Sequence, residues 1–219
     1  MNTVRTRKLV TVSMLSALAY GVMVLLKFPV VMFLSYEPKD VIIAIGGFLY
    51  GPMSAMAMSV IVAFVEMVTV SSTAHWGAIM NALSSCTFAC TAAFIYKKKQ
   101  TTSRAAIGLL AGVAVTVPVM LLWNYSVVPL YMGVPRAAVV GMLIPVFLPF
   151  NLLKYGLSAA IAMLLFRPIR LALSKSRLLP DSSQHLDAAQ KRISTGFILI
   201  SALIVVTCIL VILSWRGII

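Results

Sequence analysis

Lys154 stands in a run, 146–166, that is otherwise apolar enough to lie in a bilayer, and Asn151 precedes it by three residues. That spacing puts both side chains on one face of a helix. A lysine at the centre of a bilayer costs roughly 2.5–3.5 kcal/mol on insertion scales, so a chain keeps one where it meets a counter-charge, a ligand or a water-filled cavity. Glu66, Asn81 and Asn124 also fall in apolar segments, and Glu37, Asp40 and His75 lie at the edges of such segments. Amides offer donors and acceptors together. Several of them around a cavity suit a neutral, polyhydroxylated or heterocyclic ligand. Tyr36, Trp76, Trp123, Tyr125 and Phe150 offer flat apolar surfaces for stacking, though Trp and Tyr also serve as interfacial anchors. Glu66 has two readings: an ion pair with Lys154 that lowers the cost of both charges, or a proton carrier. Any one of these asparagines alone reads as a bond to a neighbouring helix. The set reads as a binding pocket.

This chemistry is recognition rather than catalysis. The chain has no His-Glu-x-x-His, no Gly-x-Ser-x-Gly and no P-loop. It has no pair of intramembrane aspartates. His75 is a lone histidine. Cys86 and Cys90 are one turn apart without further Cys or His at metal spacing, and with Cys208 they read as small apolar residues. No catalytic residue, metal or cofactor is expected.

The elements that must position these residues are membrane helices. The chain has 219 residues, 61% of them hydrophobic and 11% charged, a composition of integral membrane proteins. A spanning helix needs about 20 apolar residues, and seven segments are candidates: about 9–27, 39–51, 53–72, 76–96, 105–127, 138–166 and 194–215. The second is short. The sixth begins irregularly, with Pro145 and Pro149 near its outer end. The expected fold is an all-α integral membrane protein, a six-helix transmembrane bundle over 1–173. A polar linker at 174–193 leads to a seventh, C-terminal transmembrane helix within 194–219. This last segment carries no intramembrane polar charge and looks like an appendage to the six. No internal repeat is evident.

The net charge of +13 is unevenly spread. With the N-terminus inside, the inner segments hold thirteen lysines and arginines and the outer ones only Lys27, Lys39, Arg136 and Arg216. The positive-inside rule accounts for this excess without nucleic acid. The first apolar run follows a basic N-terminus but lacks a signal-peptide cleavage site, so it reads as an uncleaved span with a cytoplasmic N-terminus. On this topology the polar residues named above lie in the outer half or near mid-depth, which describes a pocket opening outward. The apolar, aromatic loop 27–40 would fold over its mouth as a lid. Ser13, Ala17 and Gly21 form a small-residue stripe that serves either internal packing or docking of another membrane protein. Gly46, Gly47 and Gly51 pose the same choice.

Several segments resemble the substrate-binding S components of energy-coupling factor (ECF) vitamin transporters, specifically the riboflavin-binding group. They are Lys8-Leu-Val-Thr-Val-Ser-Met-Leu-Ser-Ala-Leu-Ala19, Tyr36-Glu-Pro-Lys-Asp40, Phe48-Leu-Tyr-Gly-Pro52 and Gly77-Ala-Ile-Met-Asn81. Most specific are Trp123-Asn-Tyr-Ser-Val-Val-Pro-Leu-Tyr-Met-Gly133 and Ile144-Pro-Val-Phe-Leu-Pro-Phe-Asn-Leu-Leu-Lys154. The resemblance covers about 8–170. It implies a six-helix bundle in a bacterial cell membrane that captures riboflavin from outside, with Asn124, Asn151 and Lys154 contacting the vitamin. Tyr36, Asp40 and Asn81 lie in matching segments and join them as substrate-binding candidates. It implies a complex with a membrane coupling subunit and two cytoplasmic ATPase subunits, docked through Ser13, Ala17 and Gly21. Lys39 departs from the family pattern, which carries a small residue there. Glu66 and the seventh helix have no counterpart in it. FMN or another vitamin is the alternative ligand. A stand-alone proton-coupled carrier using Glu66 and Lys154, and a membrane enzyme acting on a lipid, are the rival functions.

Overall fold

A computed structural model describes residues 3–31, 34–70, 74–175 and 195–215. The expected linker therefore lies, past Lys175, outside the described residues. The elements are α1 (Thr3–Leu26), a hairpin of β1 (Phe28–Val31) and β2 (Leu34–Tyr36), α2 (Lys39–Tyr50), α3 (Pro52–Thr69), α4 (Ala74–Lys98) and α5 (Thr102–Met132). A short α6 (Arg136–Met142) and a π-helical turn (Leu143–Phe147) lead into α7 (Leu148–Lys175), and α8 spans Thr195–Trp215. The all-α membrane architecture is as expected, with a small hairpin added.

Among the described residues, five helices are long and apolar enough to cross a membrane, α7 together with α6 and the π-turn counting as one; they lie within Arg5–Leu26, Pro52–Thr69, His75–Lys98, Thr102–Leu130 and Arg136–Leu173. Helix α2 is different. Its 12 residues rise about 18 Å, short of the roughly 30 Å hydrocarbon core. All of them except Leu49 are buried, because α1, α3, α4 and α7 surround the helix. It is a central post rather than a lipid-facing span. Gly51 at φ 90° ends it and Pro52 starts α3. A left-handed glycine followed by a proline at the first helical position makes a sharp reversal.

Small residues set the helix spacing, as expected where lipid removes the hydrophobic drive and packing decides. A Cβ on Gly47 would meet Ala55 and Ala93 at 3.0 and 3.1 Å, and one on Gly108 would lie 2.6 Å from the Ala92 carbonyl oxygen. Helices α4 and α5 thus touch backbone to backbone. Gly108→Ala should destabilise the fold by about 1–3 kcal/mol, the usual cost of overpacking, read as a lower thermal midpoint in detergent; an unchanged midpoint would mean that this approach has slack.

The irregular start of the sixth segment is a π-turn that contains Pro145. Proline removes one backbone donor and collides with the preceding turn, and widening the helix locally accommodates it. The loop 27–40 is also more ordered than a loop. Phe28 pairs with Tyr36, Pro29 with Ser35 and Val31 with Leu34, with an irregularity between Pro29 and Val31, where proline cannot complete a ladder.

The buried residues form two apolar clusters. The larger lies among α1–α5 and α7. The smaller joins the hairpin (Val30, Leu34, Tyr36) to α7 (Phe150, Leu153, Leu157) and to Ile212 of α8. Helix α8 therefore packs on α7 and touches β1. On α1, Ser13 and Ala17 are exposed while Val12, Leu15, Ser16 and Ala19 face the bundle. A Cβ on Gly21 would meet nothing within 4 Å. The small stripe is not spent on internal packing.

Candidate ligand-binding site

The site is built where α2 begins. Lys39 and Asp40 are adjacent, so on a helix they point about 100° apart. Lys39 faces α3, where its Nζ contacts Glu66 Oε2. Asp40 faces α4 and α7, where it accepts a hydrogen bond from the Ser85 hydroxyl and lies 3.9 Å from Lys154 Nζ. This corrects the expected Glu66–Lys154 pair. The short post α2 stands between α3 and α7 and supplies each with its own counter-ion.

The hairpin closes the ionic ring. Lys27, just before β1, lies 2.7 Å from Glu37, just after β2, and 3.4 Å from Glu66. Lys39 also reaches Glu37 at 2.6 Å. Asn81 of α4 donates to Glu66 Oε2 at 2.9 Å. Three lysines thus meet three carboxylates, and their formal charges cancel. The side chain of Lys27 is 33% exposed, while those of Glu37, Lys39, Glu66, Asp40 and Lys154 are at most 7% exposed. Burial works against ionisation of Glu37, but Lys39, Lys154 and Lys27 outweigh it and hold the carboxyl well below the usual range. Burial likewise disfavours charge on Lys27, and Glu37 and Glu66 overcome it, raising its pKa.

Beneath the hairpin lies a cavity of about 300 Å³. Lys27, Leu34, Ser35 and Glu37 form its roof, and Glu66, Asn81, Ser84, Asn124, Asn151, Lys154 and Tyr155 supply its polar walls. Trp76, Met80, Met120, Trp123 and Phe150 supply apolar surface. Asn124 is 2% exposed and makes no side-chain hydrogen bond to the described residues. Asn151 donates to the Phe147 carbonyl at 2.7 Å, a carbonyl within the π-turn, so the irregular backbone helps orient it.

Of the residues singled out from sequence, Asn81, Asn124, Asn151, Lys154 and Glu66 share this cavity. Tyr36 and Asp40 do not line it. Asp40 sits behind Lys154, and the Tyr36 hydroxyl lies 3.4 Å from that of Ser158. Burial pushes the Tyr36 phenol up to about 12, so it stays protonated. Tyr125 is 41% exposed and faces outward. His75 is exposed beside Trp76, outside the cavity. Lys39, an outer-segment lysine by its place in the sequence, is 1% exposed and is the residue of the ring that sequence reasoning does not find. The signal was present: Glu66 in an apolar helix needs a cation, and Lys39 opens the next apolar segment upstream. Ser84 and Tyr155 carried no such signal.

The geometry has a counterpart among known proteins. Residues 7–166 match the family described as "ECF transporter, substrate-specific component". The chain belongs to this family. Two relatives of this S component are the riboflavin transporter RibU of Staphylococcus aureus (strain TCH60), 28% identical over 176 residues, and the riboflavin transporter FmnP of Bacillus subtilis (strain 168), 29% identical over 174 residues. The first alignment covers 76% of this chain and 92% of RibU, the second 74% of this chain and 91% of FmnP. A solved S component of a bacterial ECF transporter superposes with a TM-score of 0.65 at 28% identity, covering 77% of this chain and 98% of that one. The family match ends within α7, so α8 of this S component lies beyond it.

Proposed function

We propose that this S component binds riboflavin in the cavity beneath the hairpin and delivers it across the membrane when docked on an ATP-driven coupling module. The observation that carries the reading is the composition of the cavity walls. Asn81, Asn124, Asn151 and Lys154 converge on a space of about 300 Å³ flanked by Trp76, Trp123 and Phe150. That volume is at the lower end of the range for small-molecule sites. A flavin offers what these groups recognise: a flat apolar ring with carbonyl and nitrogen acceptors at its edges, and a hydroxylated chain. Lys154 donates to an acceptor of the ligand, and Asp40 behind it holds the ammonium in place. The charge-compensated ring suits a neutral ligand and leaves no surplus cation for a phosphate.

The basic residues at the far end from the hairpin, among them Lys97, Lys98, Lys99 and Arg104, support a cytoplasmic N-terminus and a cavity opening outward. The small-residue stripe of exposed Ser13 and Ala17 and half-buried Gly21 supports docking of the membrane coupling subunit, with two cytoplasmic ATPase subunits beyond it.

The test is the absorbance spectrum of the purified protein, with mass spectrometry of what it releases and titration of the ligand-free form. A flavin spectrum and tight binding are expected. Asn124→Ala should weaken binding about 2- to 12-fold, the worth of one neutral hydrogen bond. Uptake that survives loss of the ATPases but collapses with the proton gradient would overturn the reading in favour of a proton-coupled carrier.

A further inference from the structure

We infer that helix α8 braces the hairpin over the cavity, with Ile212 as a positioning residue for the lid. The inference rests on the reading of the cavity as the ligand site. Its starting point is that α8 lies beyond the family match, which ends at residue 166, yet is not loose.

Ser201, Val205, Cys208 and Ile212 recur at helical spacing and form one inward stripe. Ser201 is 7% exposed and Ile212 5%, and Val205 and Cys208 pack on the cluster that holds Ile212. The opposite face is bare: Val206, Ile209 and Leu210 are 53%, 45% and 50% exposed. Helix α8 touches β1, and its stripe shares an apolar cluster with Val30, Leu34 and Tyr36 of the hairpin. Two members of that cluster, Leu34 and Phe150, also line the cavity. Ile212 therefore belongs to the same apolar cluster as two residues of the cavity wall without lining the cavity itself.

A two-stranded hairpin is marginally stable alone. Here it is held from two sides. Its root is tied ionically to α3 through Lys27, Glu37 and Glu66, and its apolar face rests on α7 and α8. Lifting the hairpin to admit or release a ligand must separate it from α8. A brace of this kind slows exchange without touching the ligand.

The experiment uses the full chain with Ile212→Ala and, as an independent second variant, Val205→Ala. Val206→Ala on the bare face is the control. Two quantities are read: hydrogen–deuterium exchange of the β1 and β2 amides without ligand, and the dissociation rate of riboflavin by stopped-flow fluorescence. Exchange in the hairpin should accelerate severalfold and dissociation about tenfold in the first two variants, with α4 and α5 amides and the control unchanged. Unchanged hairpin exchange in both variants, or equal acceleration in every helix, overturns the brace. If the wild-type protein takes no riboflavin, the functional reading fails while the exchange measurement still decides the role of α8.

Discussion

Lys154→Met is expected to weaken riboflavin binding by roughly 10- to 150-fold, the worth of a charge-assisted hydrogen bond of about 1.5–3 kcal/mol. It is also expected to lower stability, for a reason separate from the ligand. Asp40 is wholly buried, and the substitution leaves its carboxylate with the Ser85 hydroxyl but without its cation. Removing one partner of a buried pair costs about 3–5 kcal/mol because the other charge stays uncompensated. The two effects separate in the double variant Lys154→Met with Asp40→Asn. The thermal midpoint in detergent should recover, while calorimetric titration should still show weak binding. Wild-type affinity in Lys154→Met would remove the lysine from the site.

Lys39→Met should produce the largest loss of stability among single substitutions in the ring. Lys39 contacts both Glu37 and Glu66. Without it Lys27 is the remaining ion-pair partner of both carboxylates, and its side chain is one-third exposed to screening. A cost of about 3–5 kcal/mol is expected, seen as a depressed thermal midpoint. Adding Glu66→Gln should restore much of it, because the amide keeps the shape and removes the stranded charge. A midpoint equal to wild type in the single variant would show that the ring contributes nothing net.

These two residues also mark where sequence reasoning succeeds and where it stops. Lys154 is legible because its cost in lipid is a property of its own segment. Asn124 and Asn151 are legible for the same reason, as polar groups in apolar helices. Lys39 looks ordinary in sequence, since a lysine at the start of an apolar segment is what a membrane interface allows. Only the enclosure of α2 by α1, α3, α4 and α7 turns it into a buried cation. Tyr36 and Asp40 were legible as residues of the site region but not as its supporting layer. Which side of a helix faces a cavity depends on how its neighbours rotate, and no local pattern records that.

The class of protein, most of its membrane helices, the polar residues that converge and the presence of a covering segment are legible in the sequence; that α2 is a buried post and not a span is not. The legible features follow from the transfer cost of single groups and from helical spacing, which act over a few residues. The tertiary structure alone decided that Lys154 pairs with Asp40 and Glu66 with Lys39, that the covering segment is a hairpin, and that α8 lies against it. Those outcomes depend on which elements become neighbours. That is set by packing among small residues such as Gly47 and Gly108, and by the short α2 standing between α3 and α7.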